Sequence, residues 1–496
     1  MSKSLESVDI VQAENEHGEK KGTGDAAPTS AFAGLTRAQC VRKFWQLYIT
    51  GLGVSLAGMY AGYANSVIGS IIANEGFIEY FATVKDPQTG KPALNSQHIS
   101  LWAACYFITC ILIQSIAPVT ADKFGRKFNM WGVTFFLTLS IVIQVIAPNW
   151  WTLLIARLVA GCAGGMMGTS VMVYMSEVAL PQFRGALLGS FSLAFALGQV
   201  FLAIALKVLE ETNPMAFRHI FYSEFVFTGL WLFPMLYLPE TPSWYASKGR
   251  HEEGKKALKR LVGNVEGFDI GREYSVIQYE MDESSATAKS GNENSDWRAL
   301  FKSKINMKRS VISTLPFTFQ NVVGVPLMFG YTTYFFQLAG VSDPFLGNMV
   351  KQMVLVIGII ISFYTVDKVG RRTLVIGGGA AMATICLIVG GLGFMKQTSA
   401  SGMALVALCS LWAFNYTVPL MLSNQNAGWG QKIGLFFGGI TLIYLIPCIL
   451  MFPETKGRTY HELDELFERR VPAWKFASTK TSHQEELQAK HSGEKV

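Results

Sequence analysis

Charge is scarce in this chain. Asp, Glu, Lys and Arg make up only 16% of the 496 residues, where soluble domains carry about 25%. Catalytic signatures are lacking as well: no Ser-His-Asp set, no metal-ligand spacing and no phosphate-cradling glycine loop can be found. An enzyme of those classes is therefore not expected, and neither is a resident cofactor or metal. The seven cysteines (Cys40, Cys105, Cys110, Cys162, Cys386, Cys409 and Cys448) lie in or beside apolar runs, without redox or zinc spacing, and read as small buried hydrophobes. No basic patch is interleaved with aromatics, which argues against a nucleic-acid partner. The first 43 residues contain no apolar core of the kind a cleaved signal peptide needs.

What the chain does have is apolar length. Half of its residues are hydrophobic and 12% are aromatic, and the mean hydropathy is positive. A core buried in water does not need uninterrupted apolar runs of about 20 residues, the length of a helix crossing a bilayer. Eleven such runs occur, near 46–72, 98–119, 129–147, 151–176, 186–208, 219–238, 310–336, 347–366, 373–395, 402–422 and 433–452. The fold class expected is an all-α polytopic membrane protein. The net charge of +7 sits in the connecting segments, as the positive-inside preference requires.

The organisation expected is a disordered cytoplasmic tail over 1–43, a six-helix bundle over 44–238, and a cytoplasmic linker over 239–309. A second bundle over 310–452 and a cytoplasmic tail over 453–496 follow. In the linker, "KGRHEEGKKALKRLVG" has helical charge spacing, whereas "DESSATAKSGNENS" reads as loop.

The two bundles are repeats of one another. "DKFGRK" (Asp122 to Lys127) follows the second run and "DKVGRR" (Asp367 to Arg372) the eighth; "PETPSW" from Pro239 follows the sixth run and "PETKGR" from Pro453 the last. Equivalent motifs at equivalent places mark a duplicated bundle. The repeat also exposes a shortage. Glu240 lies 118 positions after Asp122, but Glu454 lies only 87 after Asp367. The second half is short by the difference, which exceeds one membrane span, and nothing in it matches "SEVALPQFRG" of the first half. Topology gives the same result. With Lys368, Arg371 and Arg372 inside, eleven spans would strand Lys456, Arg458, Arg469, Arg470 and Lys475 outside, against the positive-inside preference. Twelve spans would not. The junction falls between Phe414 and Val418, where the start of a tenth span runs into the end of an eleventh, so the second bundle lacks about one to one and a half helices. The register of Trp412 and Asn415 is unassigned for that reason.

These motifs, together with "ARLVAGCAGG", make the chain resemble the sugar porter family of the major facilitator superfamily over about residues 45 to 476. "QNVVGVPLMFGYTTYFFQLAG" and "GRTYHELDELFERRVPAWKFAST" resemble its fungal maltose and α-glucoside permease branch. The resemblance implies two pseudo-symmetric bundles with a sugar site between them, alternating access by rocking, and ancestral proton symport. A monomer in the plasma membrane is the expectation that goes with it.

The resemblance also implies roles for individual residues. Asp122, Gly125 and Arg126, with Glu177, Arg184 and Glu240, would latch the cytoplasmic side shut, and Asp367, Gly370, Arg371 and Glu454 would do so in the second half. Plain positive-inside anchoring is the other reading of the basic residues. On the second side the partners of Asp367 and Arg371 fall in the missing stretch, apart from Glu454. Arg157 and Glu224 are the embedded charges of the first bundle. Isolated ions at mid-membrane are costly, so the two are expected to pair, as a structural ion pair or as part of a proton relay. The family's span-one Asp is Ala64 here, and the neighbouring Asn65 cannot titrate. For the sugar, the matching positions are Gln199 and Ser192 in span five, Gln320 and Asn321 in span seven, and Phe329 as an aromatic lid. Amides offer both donor and acceptor to hydroxyl groups, though hydrogen bonding between helices and a core position for Phe329 remain open.

Function therefore reads as uptake of α-glucosides or other sugars, with the sugar and the bilayer as partners and the proton as coupling ion. The alternative is a non-transporting sugar receptor, or the inactive product of a shortened gene model.

Overall fold

The computed structural model describes residues 37–85, 90–180, 184–265, 267–290, 304–323, 332–338, 341–369, 371–392, 433–455, 460–469, 471–476 and 478–481. The first bundle is built from α2 (Trp45–Ile71), α4 (Ser96–Phe124), α5 (Arg126–Ile146), α6 (Trp150–Val178), α7 (Arg184–Thr212) and α8 (Arg218–Tyr237); a short α1 (Arg37–Lys43) precedes it. After α2 the chain bends by 71° into α3 (Glu75–Phe81), which Asn74 caps by accepting from the Phe77 N–H at 3.0 Å. A two-stranded antiparallel ribbon, β1 (Val84–Lys85) with β2 (Pro92–Ala93), leads into α4.

Three helices form the linker: α9 (Pro242–Ser247), α10 (His251–Val262) and α11 (Ile270–Ser290). The second half has α12 (Lys304–Val323), α13 (Thr332–Leu338), α14 (Pro344–Val369), α15 (Arg371–Leu392) and α16 (Ile433–Met451), then α17 (Tyr460–Glu468). Among the described residues seven helices are long and apolar enough to span a membrane, and the bent pair α2–α3 makes an eighth. The expected run 402–422 lies outside the described residues. The expected run 310–336 is represented by α12 and α13, which flank Gly324 and Pro326.

Two expectations are corrected. Residues 37–43 are helical rather than disordered, because Cys40 and Phe44 are buried in the cluster that joins Leu258, Leu261 and Val262 of α10 and Tyr274 of α11 to the core of the first bundle. Burying one such aromatic side chain contributes about 2 kcal/mol, and the Phe44 ring meets Phe268 edge-on at 5.3 Å. The stretch "DESSATAKS" continues α11 to Ser290. No Gly or Pro interrupts it before Gly291, and Ala, Glu, Met and Lys favour helix.

Two features of packing place the site. First, α2 and α7 approach backbone to backbone. A β-carbon at Gly58 would lie 2.5 Å from the Phe191 carbonyl oxygen, and one at Gly62 would overlap the Phe195 carbonyl. Small residues at four-residue spacing allow this closeness in membranes. Second, α7 lies along α14 of the second bundle. The Phe363 ring rests on Gly189 near the cytoplasmic end. At the outer end Lys207 pairs with Asp343, and also with Glu211 at 3.0 Å. Asp343 is itself the cap of α14, accepting from the Leu346 N–H at 2.9 Å with Pro344 in the first turn. The α13 helix packs on both α2 and α14, so the outer ends of the two halves are joined.

Candidate functional site

At the cytoplasmic end Gly125 has φ of 106°, and a β-carbon there would run into the Glu240 carboxylate. The turn between α4 and α5 thus demands glycine for two separate reasons. Arg126 donates to Glu177 at 2.9 and 3.2 Å and to Asp122 at 3.0 Å. Lys127 N–H donates to Glu240 Oε2 at 2.9 Å, Thr241 N–H to Oε1 at 2.9 Å, and the Lys127 ammonium to the Leu238 carbonyl. Burial pushes the Glu240 carboxyl up, while the N–H groups of Thr241, Lys127 and Arg126 oppose that rise. Glu240 therefore holds main-chain donors where an ion pair was expected. Arg184 likewise donates to the Ser176 carbonyl at 3.1 Å.

The second half repeats this arrangement atom for atom. Arg372 N–H donates to Glu454 Oε2 at 3.1 Å and Thr455 N–H to Oε1 at 3.0 Å. The Arg372 guanidinium donates to the carbonyls of Phe452 and Ile449 at 2.5 and 2.7 Å. Phe452 precedes Glu454 by two positions, as Leu238 precedes Glu240. The α16 helix packs on α15 and α12 as α8 packs on α5 and α2, so α16 is the sixth helix of its half. Positions 147–217 separate α5 from α8, whereas only positions 393–432 separate α15 from α16. The second interval is the shorter by the same amount as in the motif spacing, so the whole shortage falls between those two helices. Gly370 and the side chains of Asp367 and Arg371 lie outside the described residues.

Within the first bundle the expected pairing of Arg157 with Glu224 is not a hydrogen-bonded one. The Arg157 guanidinium lies 4.6 Å from the centre of the Tyr106 ring, and the Tyr106 hydroxyl donates to Asn65 Oδ1 at 2.7 Å. Glu224 is fully buried, and neither of its oxygens has a hydrogen-bond partner among the described residues. Ala64 is buried beside Asn65. Sequence reading missed Tyr106, because an aromatic in an apolar run carries no signal of its polar contact.

Gln199 is buried on α7. Its amide donates to Ser66 on α2 at 2.8 Å, and its Oε1 has no partner among the described residues. Ser192, two turns nearer the cytoplasm, is exposed. The side chains of Gln320 and Asn321, on the last turn of α12, and the whole of Phe329 lie outside the described residues. On the second bundle's side α14 buries Asn348, Lys351 and Gln352, and α13 buries Thr332 and Thr333. Lys351 donates to the Thr332 hydroxyl at 3.2 Å. Sequence reading missed that polar cluster, because one lysine-glutamine pair leaves the run 347–366 apolar on average.

The sugar (and other) transporter family matches residues 50–419; the match stops one residue past the 414–418 junction. The general alpha-glucoside permease of Saccharomyces cerevisiae is 26% identical over 94% of this chain and 82% of its own length. Maltose permease MAL31 of the same species is 27% identical over 86% and 76%. A high-affinity glucose transporter of Kluyveromyces lactis is 22% identical over 88% and 87%. Among solved structures, XylE of E. coli in a partially occluded inward-open conformation superposes with a TM-score of 0.63 at 18% identity, covering 84% of this chain and all of that one. The proton:xylose symporter XylE bound to 6-bromo-6-deoxy-D-glucose gives 0.64 at 20%, covering 86% and 100%. With its two capped half-bundles and the family match over most of its length, the chain belongs to the sugar (and other) transporter family, shares the fold of the XylE structures, and is a multi-pass membrane transporter rather than an enzyme.

Proposed function

We propose that the chain carries α-glucosides of the maltose class across the plasma membrane by alternating access. The observation that carries this reading is Gln199, a buried amide with an unmatched acceptor on α7, the helix that lies along α14 of the second half. Such an acceptor is costly in a bilayer, and a sugar hydroxyl is the donor that would satisfy it. The names of the yeast relatives support the substrate class. Rocking would open the Lys207–Asp343 end while the Arg126–Glu177 end closes against the second half.

Coupling to protons falls to Glu224 in this reading, because Ala64 removes the carboxyl of span one. Glu224 is the embedded carboxylate left in the first bundle, and it has the burial that makes a proton's arrival and departure consequential. The test is uptake of radiolabelled maltose and glucose by cells lacking their own sugar transporters, with and without a protonophore. Uptake that ignores the protonophore removes symport and leaves a facilitator.

A second reading, that the chain does not transport, is favoured by the short connection from Leu392 to Ile433, where the first half runs from Ile146 to Arg218. That connection cannot form two spans of the length of α6 and α7, each 29 residues. Sequencing the transcript across codons 414–420 separates an authentic short bundle from a skipped exon.

A further inference from the structure

Three polar atoms are buried without a protein partner among the described residues on the helices through which the two halves touch: Gln199 Oε1 on α7, Thr333 Oγ1 on α13 and Gln352 Oε1 on α14. Their residues are exposed by 1%, 0% and 2%. Most buried polar groups are paired; these three unpaired ones lie on helices that pack on one another, α7 and α13 both against α14.

Gln199 and Gln352 lie at like depth along their helices. The pairing of α7 with α14 is fixed at both ends, by Phe363 on Gly189 and by Lys207 with Asp343. Gln199 is ten positions from Gly189 and Gln352 eleven from Phe363, rises of about 15 and 17 Å along the two helices. The α13 helix bridges α2 and α14 at the same outer half, and Ser66 of α2 receives the Gln199 amide. A helix-packing role would join these atoms to each other or to backbone; neither contact is made among the described residues.

We propose that Gln352, with Thr333 on the adjoining α13, is a further substrate contact in the second half: an amide facing the Gln199 side of the site and accepting from a sugar hydroxyl. This rests on the transport reading above and deepens it, since it names a residue that sets affinity. Gln352 supplies one acceptor and two donors and no charge, so the ligand it fits is a neutral polyol or sugar. A sugar wedged between Gln199 and Gln352 touches both halves at once, and its loss would loosen the closed outer half. The second bundle's wall is thereby partly rebuilt on α14, a helix outside the shortened stretch.

The test is Gln352→Leu and Gln352→Asn in the full chain, read as KM for radiolabelled maltose and glucose uptake and as melting temperature of the purified protein. Gln352→Leu keeps the volume and removes the unpaired acceptor. It should raise KM about tenfold, the worth of one good hydrogen bond, with melting unchanged or higher. Gln352→Asn, shorter by one methylene, should raise KM by a smaller factor. If Gln352→Leu fails to reach the membrane, Gln352→Asn and Thr333→Val carry the same comparison. An unchanged KM in variants of a transporting parent, or a lowered melting temperature with unchanged KM, overturns this inference alone. A parent that takes up neither sugar overturns the transport reading and this inference together.

Discussion

Removing the tie at the outer end should make the outward-facing state easier to reach. Lys207 and Asp343 have side chains exposed by 20% and 33%, between the open surface and the interior. Fully exposed pairs contribute roughly 0.2–1 kcal/mol, so about 1 kcal/mol is the expected worth of the cation here. That corresponds to about a fivefold change in population. Lys207→Gln deprives both Asp343 and Glu211 of their partner, with Glu210 close by, and should have the full effect. Asp343→Asn leaves Lys207 bonded to Glu211 and should shift the balance about twofold. Ala203 is a suitable reporter, because Gln199, Ala203 and Lys207 follow at four-residue intervals on one stripe of α7 and Ala203 is buried. In an Ala203→Cys parent, the rate of labelling by a membrane-impermeant thiol reagent from outside should rise about fivefold with Lys207→Gln. It should return toward the parent rate in the Lys207→Asp/Asp343→Lys exchange. Equal labelling rates in all of these chains would refute the idea that this pair holds the outer ends together. The pH dependence has a definite sign. Burial raises the Asp343 carboxyl, but Lys207 and the Leu346 N–H outweigh it, and the net position is below the ordinary value. The tie is therefore present above that range and lost only as pH falls through it, so the ratio of the Lys207→Gln labelling rate to the parent rate, each pair taken at one pH to cancel the ionisation of the thiol itself, should be unchanged between about pH 5 and 7, above the ordinary aspartate value of about 3.9.

Other outcomes follow from the same geometry. Glu240→Gln and Glu454→Gln each replace an acceptor of a main-chain N–H by a donor. Each should lower stability by about 1.5–3 kcal/mol in denaturation of the purified chain, and a neutral Glu454→Gln beside a damaging Glu240→Gln would break the equivalence of the two caps. Gly125→Ala forces a side chain into an extended positive-φ conformation (φ 106°, ψ 159°) and displaces Glu240, a cost of about 1–3 kcal/mol for the conformation alone; surface expression and melting should both fall. Glu224→Gln should leave sugar uptake present but insensitive to a protonophore, and continued sensitivity would assign the proton to another group.

Much of the fold was legible because bilayer crossing imposes length and apolarity together, and the motif repeat then fixed the equivalence of the halves. The helix α2 was expected at 46–72 and runs from Trp45 to Ile71; α15 was expected at 373–395 and runs from Arg371 to Leu392. Polar expectations fared unevenly. The Arg126 contacts follow from opposite charges brought to one turn. The bond from Lys127 N–H to Glu240 does not, since a main-chain donor leaves no mark in composition. Arg157 was expected against Glu224 because charges attract; the two are near enough for that attraction but share no hydrogen bond, and the guanidinium lies over the face of Tyr106, also a favourable partner. Lys351 and Gln352 were passed over because a single polar pair barely changes the average hydropathy of a whole span. The helix at Arg37–Lys43 depends on Leu258, Leu261 and Tyr274, on the far side of the first bundle in the chain, a contact that local sequence cannot announce.

The most direct test of the account is uptake of radiolabelled maltose by this full chain, in transporter-deficient yeast cells in which its arrival at the plasma membrane has been verified by surface labelling. Saturable uptake above the empty-vector level, with a KM that rises in Gln199→Leu, is the result the account predicts. Background uptake of maltose and glucose alike by correctly localised protein would contradict it, and would make the shortage in the second bundle a loss of transport.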